Sequence, residues 1–150
     1  MEYLYVSKIR LCQKTSKKKL IKGVDRIIIK GPEDVHETLD SLLKGSVQES
    51  LYALALSTKN EVIAVKEIYR GTINSSVVSP REIYQFALLN NASNLIISHS
   101  HPSGDPLASS EDISFTKRLS EVGRLMNLPL LDHVIYADSD YYSLKEHGDF

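Results

Sequence analysis

Apolar and polar positions along this chain fall into blocks with two different periods. Between Gly31 and Gly45, Val35, Leu39, Leu42 and Leu43 recur at the spacing of one helix face. Pro32 suits the first position of that helix and Gly45 suits the residue that ends it. The next block, ESLYALALS (49–57), is apolar almost throughout and has the length of a strand, as expected where both sheet faces are covered. TKN (58–60) predicts a hairpin turn into EVIAVKEIY (61–69), where apolar and polar residues alternate. Residues 3–12 and RIIIK (26–30) read as short strands flanking a lysine-rich loop, and GTINSSVV (71–78) reads as a short edge strand or extended loop. SPREIYQFALLNN (79–91) predicts a helix with Ser79 as N-cap, Pro80 at the first position, and a capping box completed by Glu82. NLIIS (94–98) is a buried strand, followed by a long helix from about Ser110 to Met126 and strands at LLDHVIY (130–136) and YYSL (141–144). The order β-β-α-β-β-α-β-α-β-β predicts an α/β fold, a mixed sheet sandwiched by helices.

Composition narrows the class. A chain of 150 residues, 42% hydrophobic and 25% charged, fits one soluble globular domain with a single core. No apolar run approaches the ~18 residues of a membrane span, so no membrane partner is expected. The opening MEYLYVSKIRLCQK lacks the basic-then-apolar order of a signal peptide. Cys12 stands alone, which excludes an internal disulfide and a cysteine-based zinc knuckle, and a reducing cytoplasm is the expected setting.

The net charge of −1 hides an asymmetry. Residues 1–31 hold nine Lys/Arg against Glu2 and Asp25, a balance of +7, and the remainder holds nine against seventeen, a balance of −8. Lys14, Lys17, Lys18, Lys19 and Lys22 are therefore candidates for contact with nucleic acid or another polyanion. A solvated basic loop is the plainer reading of the same residues, and no aromatic is interleaved for stacking on a single strand.

The densest chemistry lies in HSHPSGDPLASSED (99–112). Residues two apart on a strand share a face, so His99 and His101 project together from the C-terminal end of a strand, where α/β sheets tend to place sites. Pro102, Gly104 and Pro106 turn the chain back, and Asp112 enters on the first turn of the next helix. Two imidazoles and one carboxylate can hold a zinc ion with a fourth position left for water, the design of a catalytic site. Ser109-Ser110-Glu111-Asp112 also fits a helix capping box, which accounts for Asp112 without a metal.

The spacing His99-x-His101-x7-Ser109-x2-Asp112 matches the signature of the JAMM/MPN (JAB) metalloproteases. The phrases RGTINSSVVSPREIYQFALLNNASNLIISHSHPSGDP and LLDHVIYADSDYYSL make the chain resemble the RadC-like branch of that superfamily over about residues 32–147. The resemblance implies a JAB/MPN-type three-layer fold, related to that of cytidine deaminases, over residues 32–150, preceded by a basic extension over 1–31. It implies that His99, His101 and Asp112 hold Zn2+ and that Ser109 steadies an oxyanion. It asks for a glutamate that moves protons, with Glu49 and Glu82 as the candidates. Glu49 opens the buried strand, where the superfamily places this group, whereas Glu82 already has a capping role, so Glu49 is the choice. Many RadC-like proteins have His-Asn-His-Pro where this chain has His-Ser-His-Pro, and serine is typical of proteolytic members. Longer members carry a helix-hairpin-helix region, for which residues 1–31 are too short and too strand-like.

Two further residues are candidates for supporting the ligands. His133 is placed to accept or donate a hydrogen bond to a ligating histidine, or is simply a core histidine. Asp132, on the opposite face of its strand, is the other candidate. The expected function is amide or isopeptide hydrolysis on a peptide or protein substrate. The alternative is a non-catalytic DNA-binding protein of a repair complex that keeps the fold and metal site. The RadC name carries a DNA-repair label that no residue here demonstrates. A nucleobase deaminase is excluded because its Pro-Cys-x-x-Cys needs more than Cys12.

Overall fold

The computed structural model describes residues 26–71 and 78–150. In chain order the elements are α1 (Pro32–Leu43), β1 (Ser50–Leu56), β2 (Val62–Arg70), α2 (Pro80–Leu89), β3 (Asn94–Ser100), α3 (Ser110–Leu125), β4 (Leu130–Ala137), β5 (Asp140–Ser143) and α4 (Leu144–His147). The five strands form one mixed sheet in the order β2-β1-β3-β4-β5. Among the described strands only β3 and β4 run parallel, joined by the crossover through α3, and the other neighbours are antiparallel.

Strand alternation decides what each sheet face meets. Leu51, Ala53 and Ala55 of β1 and Leu95 and Ile97 of β3 pack with Ile83 and Phe86 of α2 and Phe115 and Leu119 of α3. The intervening residues Tyr52, Leu54, Leu56 and Ile96 pack with Val35, Leu39 and Leu43 of α1. Every residue of β1 is buried, which is why its sequence is apolar without a period-two pattern. β2, the end strand of this order, is only partly buried along its length.

Local chemistry sets the element ends. Asp34 of α1 accepts from the Lys30 and Gly31 amides, satisfying donors that the helix itself cannot. At the other end Gly45 takes a φ of 71°, the left-handed conformation that follows many helix C-termini. The turn after β1 closes through Ser57 and Glu61, with Asn60 at a φ of 57°.

Three expectations need correction. RIIIK (26–30) is not a strand of the sheet but makes an isolated bridge, Ile28 to Glu61, beside the edge strand. Residues 141–144 do not all continue as strand, because the Ser143 hydroxyl accepts from the Glu146 amide and starts α4 at Leu144. The capping box expected of Ser79 and Glu82 does not form: the Ser79 hydroxyl takes the Arg81 amide instead, and Glu82 stands exposed. The strand expected at 3–12, the lysine-rich loop and most of 71–78 lie outside the described residues.

Candidate metal centre

β3 carries His99 near its C-terminal end on the face that α3 covers, and His101 follows the strand directly. Beyond His101 the chain reverses: the His101 carbonyl accepts from Gly104, which sits at a φ of 82°. Ser109 then caps α3. Its hydroxyl accepts from the Asp112 amide at 3.1 Å, and Asp112 Oδ2 accepts from the Ser109 amide at 2.8 Å. This reciprocal cap does what helix ends generally require, and here it also points a carboxylate at the two imidazoles.

The ligand atoms of His99, His101 and Asp112 all lie within 4.8 Å of one another, close enough to hold a metal ion. His99 Nε2 and His101 Nε2 are 2.8 Å apart, His99 Nε2 is 3.4 Å from Asp112 Oδ1, and His101 Nε2 is 3.9 Å from Asp112 Oδ2. His99 is 1% exposed, whereas the His101 side chain keeps 17%, so the group opens to solvent on the His101 side.

Proton bookkeeping defines what faces the centre of this group. Thr116 Oγ1 has one proton and donates it to the Asp112 carbonyl at 2.6 Å. The contact of 2.6 Å between Thr116 Oγ1 and His133 Nδ1 must then be donated by His133. Burial holds His133 well below the usual histidine range, with His99 and His101 adding to the effect, so it is neutral and its Nε2 is an acceptor. His99 Nδ1, 2.7 Å away, supplies that hydrogen bond. Burial also pushes His99 down to about 4, aided by His101 and opposed by Asp112, so its Nε2 carries no proton at neutral pH. His101 Nδ1 donates to the Asp105 carbonyl at 2.8 Å, which turns its Nε2 toward His99. Two imidazole nitrogens 2.8 Å apart beside a carboxylate are held together by a proton or a metal ion among them.

Glu49 sits immediately before β1 and borders a cleft of about 390 Å³ together with Val47, Gln48, Gly71, Pro102 and Ser103. It thus shares a cleft with the two residues that follow His101. Glu82, exposed on the first turn of α2, is not one of the clustered groups. Asp132 points away from the histidines: it accepts from Ser143 Oγ and from the Lys145 and His133 amides, tying α4 to β4. The contact to His99 belongs to His133. Thr116 and the Asp105 carbonyl complete the network without any motif to announce them. The one available signal was helical spacing, since Thr116 lies one turn beyond Asp112 on the same face.

Among the described residues, no helix is long and apolar enough to cross a membrane. Residues 29–149 match the family model of the RadC-like JAB domain. A UPF0758 protein of Shouchella clausii is 46% identical over 125 residues, covering 83% of this chain and 54% of the relative. One from Halalkalibacterium halodurans is 45% identical over 125 residues, with the same two shares, 83% and 54%. One from Clostridium perfringens is 44% identical over 126 residues, 84% of this chain and 56% of the relative. The chain spans about half the length of the curated relatives it matches.

Proposed function

The chain belongs to the RadC-like JAB domain family, and on that premise we propose that it is a zinc-dependent hydrolase of amide or isopeptide bonds. The observation that carries this reading is the convergence of two imidazole nitrogens and a carboxylate. Nitrogen and oxygen are the donors zinc takes, and two ligands ~2.0–2.1 Å from a tetrahedral ion stand about 3.3 Å apart. The 3.4 Å between His99 Nε2 and Asp112 Oδ1 fits that span, and the closer histidine pair needs to open by about half an ångström. His99, His101 and Asp112 would hold the ion. When bound, zinc supplies Lewis acidity toward a scissile carbonyl and toward water.

The remaining roles fall to side chains around it. Glu49, at the cleft beside Pro102, takes a proton from the attacking water as its oxygen bonds to the carbonyl carbon. It returns that proton to the leaving amine as the carbon–nitrogen bond breaks. In this reading Ser109 donates to the oxyanion; its proton otherwise goes to Asp112 Oδ2 at 2.7 Å. The hydroxyl has to rotate off that carboxylate, a change that a cation bound at Asp112 favours.

The substrate in this reading is a peptide or protein segment seated in the cleft at Glu49. The test is metal analysis of the purified chain beside His99→Ala, followed by hydrolysis assays on peptide and isopeptide-linked substrates. Near-stoichiometric zinc that His99→Ala loses, with turnover that Glu49→Gln loses, is the expected result. Absence of zinc from both proteins overturns the reading. Zinc without turnover favours the non-catalytic alternative, in which Lys14, Lys17, Lys18, Lys19 and Lys22 contact nucleic acid.

A further inference from the structure

Four residues from three elements close a buried ring: His99 to His133, His133 to Thr116 and Thr116 to the Asp112 carbonyl are hydrogen bonds, and Asp112 Oδ1 returns to within 3.4 Å of His99 Nε2. His99 and Asp112 are proposed ligands, but Thr116 and His133 touch no position that a substrate or ion would occupy. We propose that Thr116 and His133 are positioning residues that set the tautomer of His99 and tie it to the helix turn that carries Asp112. This rests on the metal-site reading above.

The direction of the ring comes from a single group. A threonine hydroxyl has one proton to give. Thr116 spends it on the Asp112 carbonyl, an acceptor with no proton of its own. Its lone pair therefore takes the proton of His133 Nδ1, which turns His133 Nε2 into an acceptor and requires His99 to carry its proton on Nδ1. The His99 Nε2 lone pair is left facing His101 and Asp112. Metal-bound histidines usually donate their second nitrogen to a carboxylate, a carbonyl or water. Here the acceptor is another imidazole, which can take either tautomer, so the choice passes one residue further, to Thr116. Both residues are fully buried (Thr116 0%, His133 1% exposed), so water does not substitute for the missing partner when one is removed.

Without the Thr116 hydroxyl, His133 has no acceptor at Nδ1. It then gains more by carrying its proton on Nε2 and donating to His99 Nδ1, which drives the His99 proton to Nε2 and removes the lone pair from the site. Thr116→Val keeps the shape and deletes the hydroxyl, and Thr116→Ser restores the hydroxyl and deletes a methyl group. Two readouts on the whole chain separate tautomer control from a merely structural role. Imidazole nitrogen NMR on the metal-free protein assigns the protonated nitrogen of His99, and chelator competition measures zinc affinity.

The expected result is an Nδ1–H tautomer for His99 in the parent and in Thr116→Ser, and an Nε2–H or mixed tautomer in Thr116→Val. Zinc affinity is expected to fall about 10–100-fold in Thr116→Val and to recover in Thr116→Ser. An Nε2–H tautomer in the parent overturns the proposal before any variant is made. Thr116→Val with unchanged tautomers and zinc affinity within twofold of the parent overturns it as well. The expected tautomers in a parent chain that binds no zinc would refute the metal-site reading while leaving the ring intact.

Discussion

Leu51 and His99 stand directly opposite each other across the antiparallel ladder of β1 and β3. Glu49 directly precedes β1 and His101 directly follows β3, so both stand just beyond the same end of this ladder, where Glu49 borders a cleft with Pro102 and Ser103. Glu49→Gln is therefore expected to lower hydrolysis about 10²–10⁴-fold while zinc content stays at the parental level. Glu82→Gln is expected to turn over like the parent. The reverse pattern, in parallel peptidase and metal assays, would move the proton-transfer role to Glu82.

Asp112 serves the helix cap and the candidate metal site at once, and two substitutions separate these roles. Asp112→Asn keeps an oxygen for the Ser109 amide and is expected to lose zinc with little loss of stability. Asp112→Ala removes both and is expected to cost about 1 kcal/mol more in the metal-free chain. Denaturant titration without metal and chelator competition with it make the comparison. Equal stability of the two variants would deny the cap its contribution.

A ligand that binds only the folded state stabilises it by mass action. Free zinc at a hundred times its dissociation constant is expected to raise parental stability by about 2.7 kcal/mol, and a chelator to reverse the gain. His99→Ala is expected to show no such shift in a thermal melt. A zinc-dependent shift that survives His99→Ala would place the ion elsewhere.

Gly123 lies where α3 crosses α2. A Cβ there would collide with Tyr84 Oη and come within 2.7 Å of the Leu128 carbonyl. Tyr84 Oη donates to the Leu119 carbonyl at 2.9 Å, and burial pushes its pKa up to about 12, so the hydroxyl stays protonated and in place. Gly123→Ala gains about 1 kcal/mol of helix propensity but overpacks at a cost of about 1–3 kcal/mol. A lower denaturation midpoint is expected, and a higher one would mean that α2 yields easily.

Asp132 is buried, and burial raises its pKa against the lowering effect of its hydrogen bonds from Ser143, Lys145 and His133. A carboxyl with a raised folded-state pKa binds more protons when folded, so its contribution to stability grows as pH falls from that pKa toward the unfolded value near 4. The stability of the parent minus that of Asp132→Asn is accordingly expected to rise on acidification from pH 7 and then level off. Denaturant titrations at several pH values check this. A difference that is flat or falls toward acid pH would show that the hydrogen bonds outweigh burial.

Much of the architecture was legible because burial leaves period and composition behind. β1 reads as a two-faced strand because both of its faces meet helices, and α1 reads as a helix because only one of its faces does. The failures share a cause. Ser79 and Glu82 have the spacing of a capping box, yet the hydroxyl found a nearer amide at Arg81. RIIIK is apolar enough for a strand, but its partner is the outer edge of the sheet, where only one bridge forms.

For the candidate site, the sequence by itself determined that two imidazoles share a strand face and that a capped helix returns Asp112 to the same end. Those are local facts, set by alternation along a strand and by the stereochemistry of a helix start. Only the tertiary structure decided what lies behind and beside these candidate ligands. Ile97 pairs with His133 in the parallel ladder of β3 and β4, which brings His133 beneath His99, and the packing of α3 supplies Thr116 to complete the ring. Register between distant strands leaves no mark in either strand alone. The protonation of His99 therefore depends on residues 17 and 34 positions away in the chain, and their contact exists only once the sheet has formed.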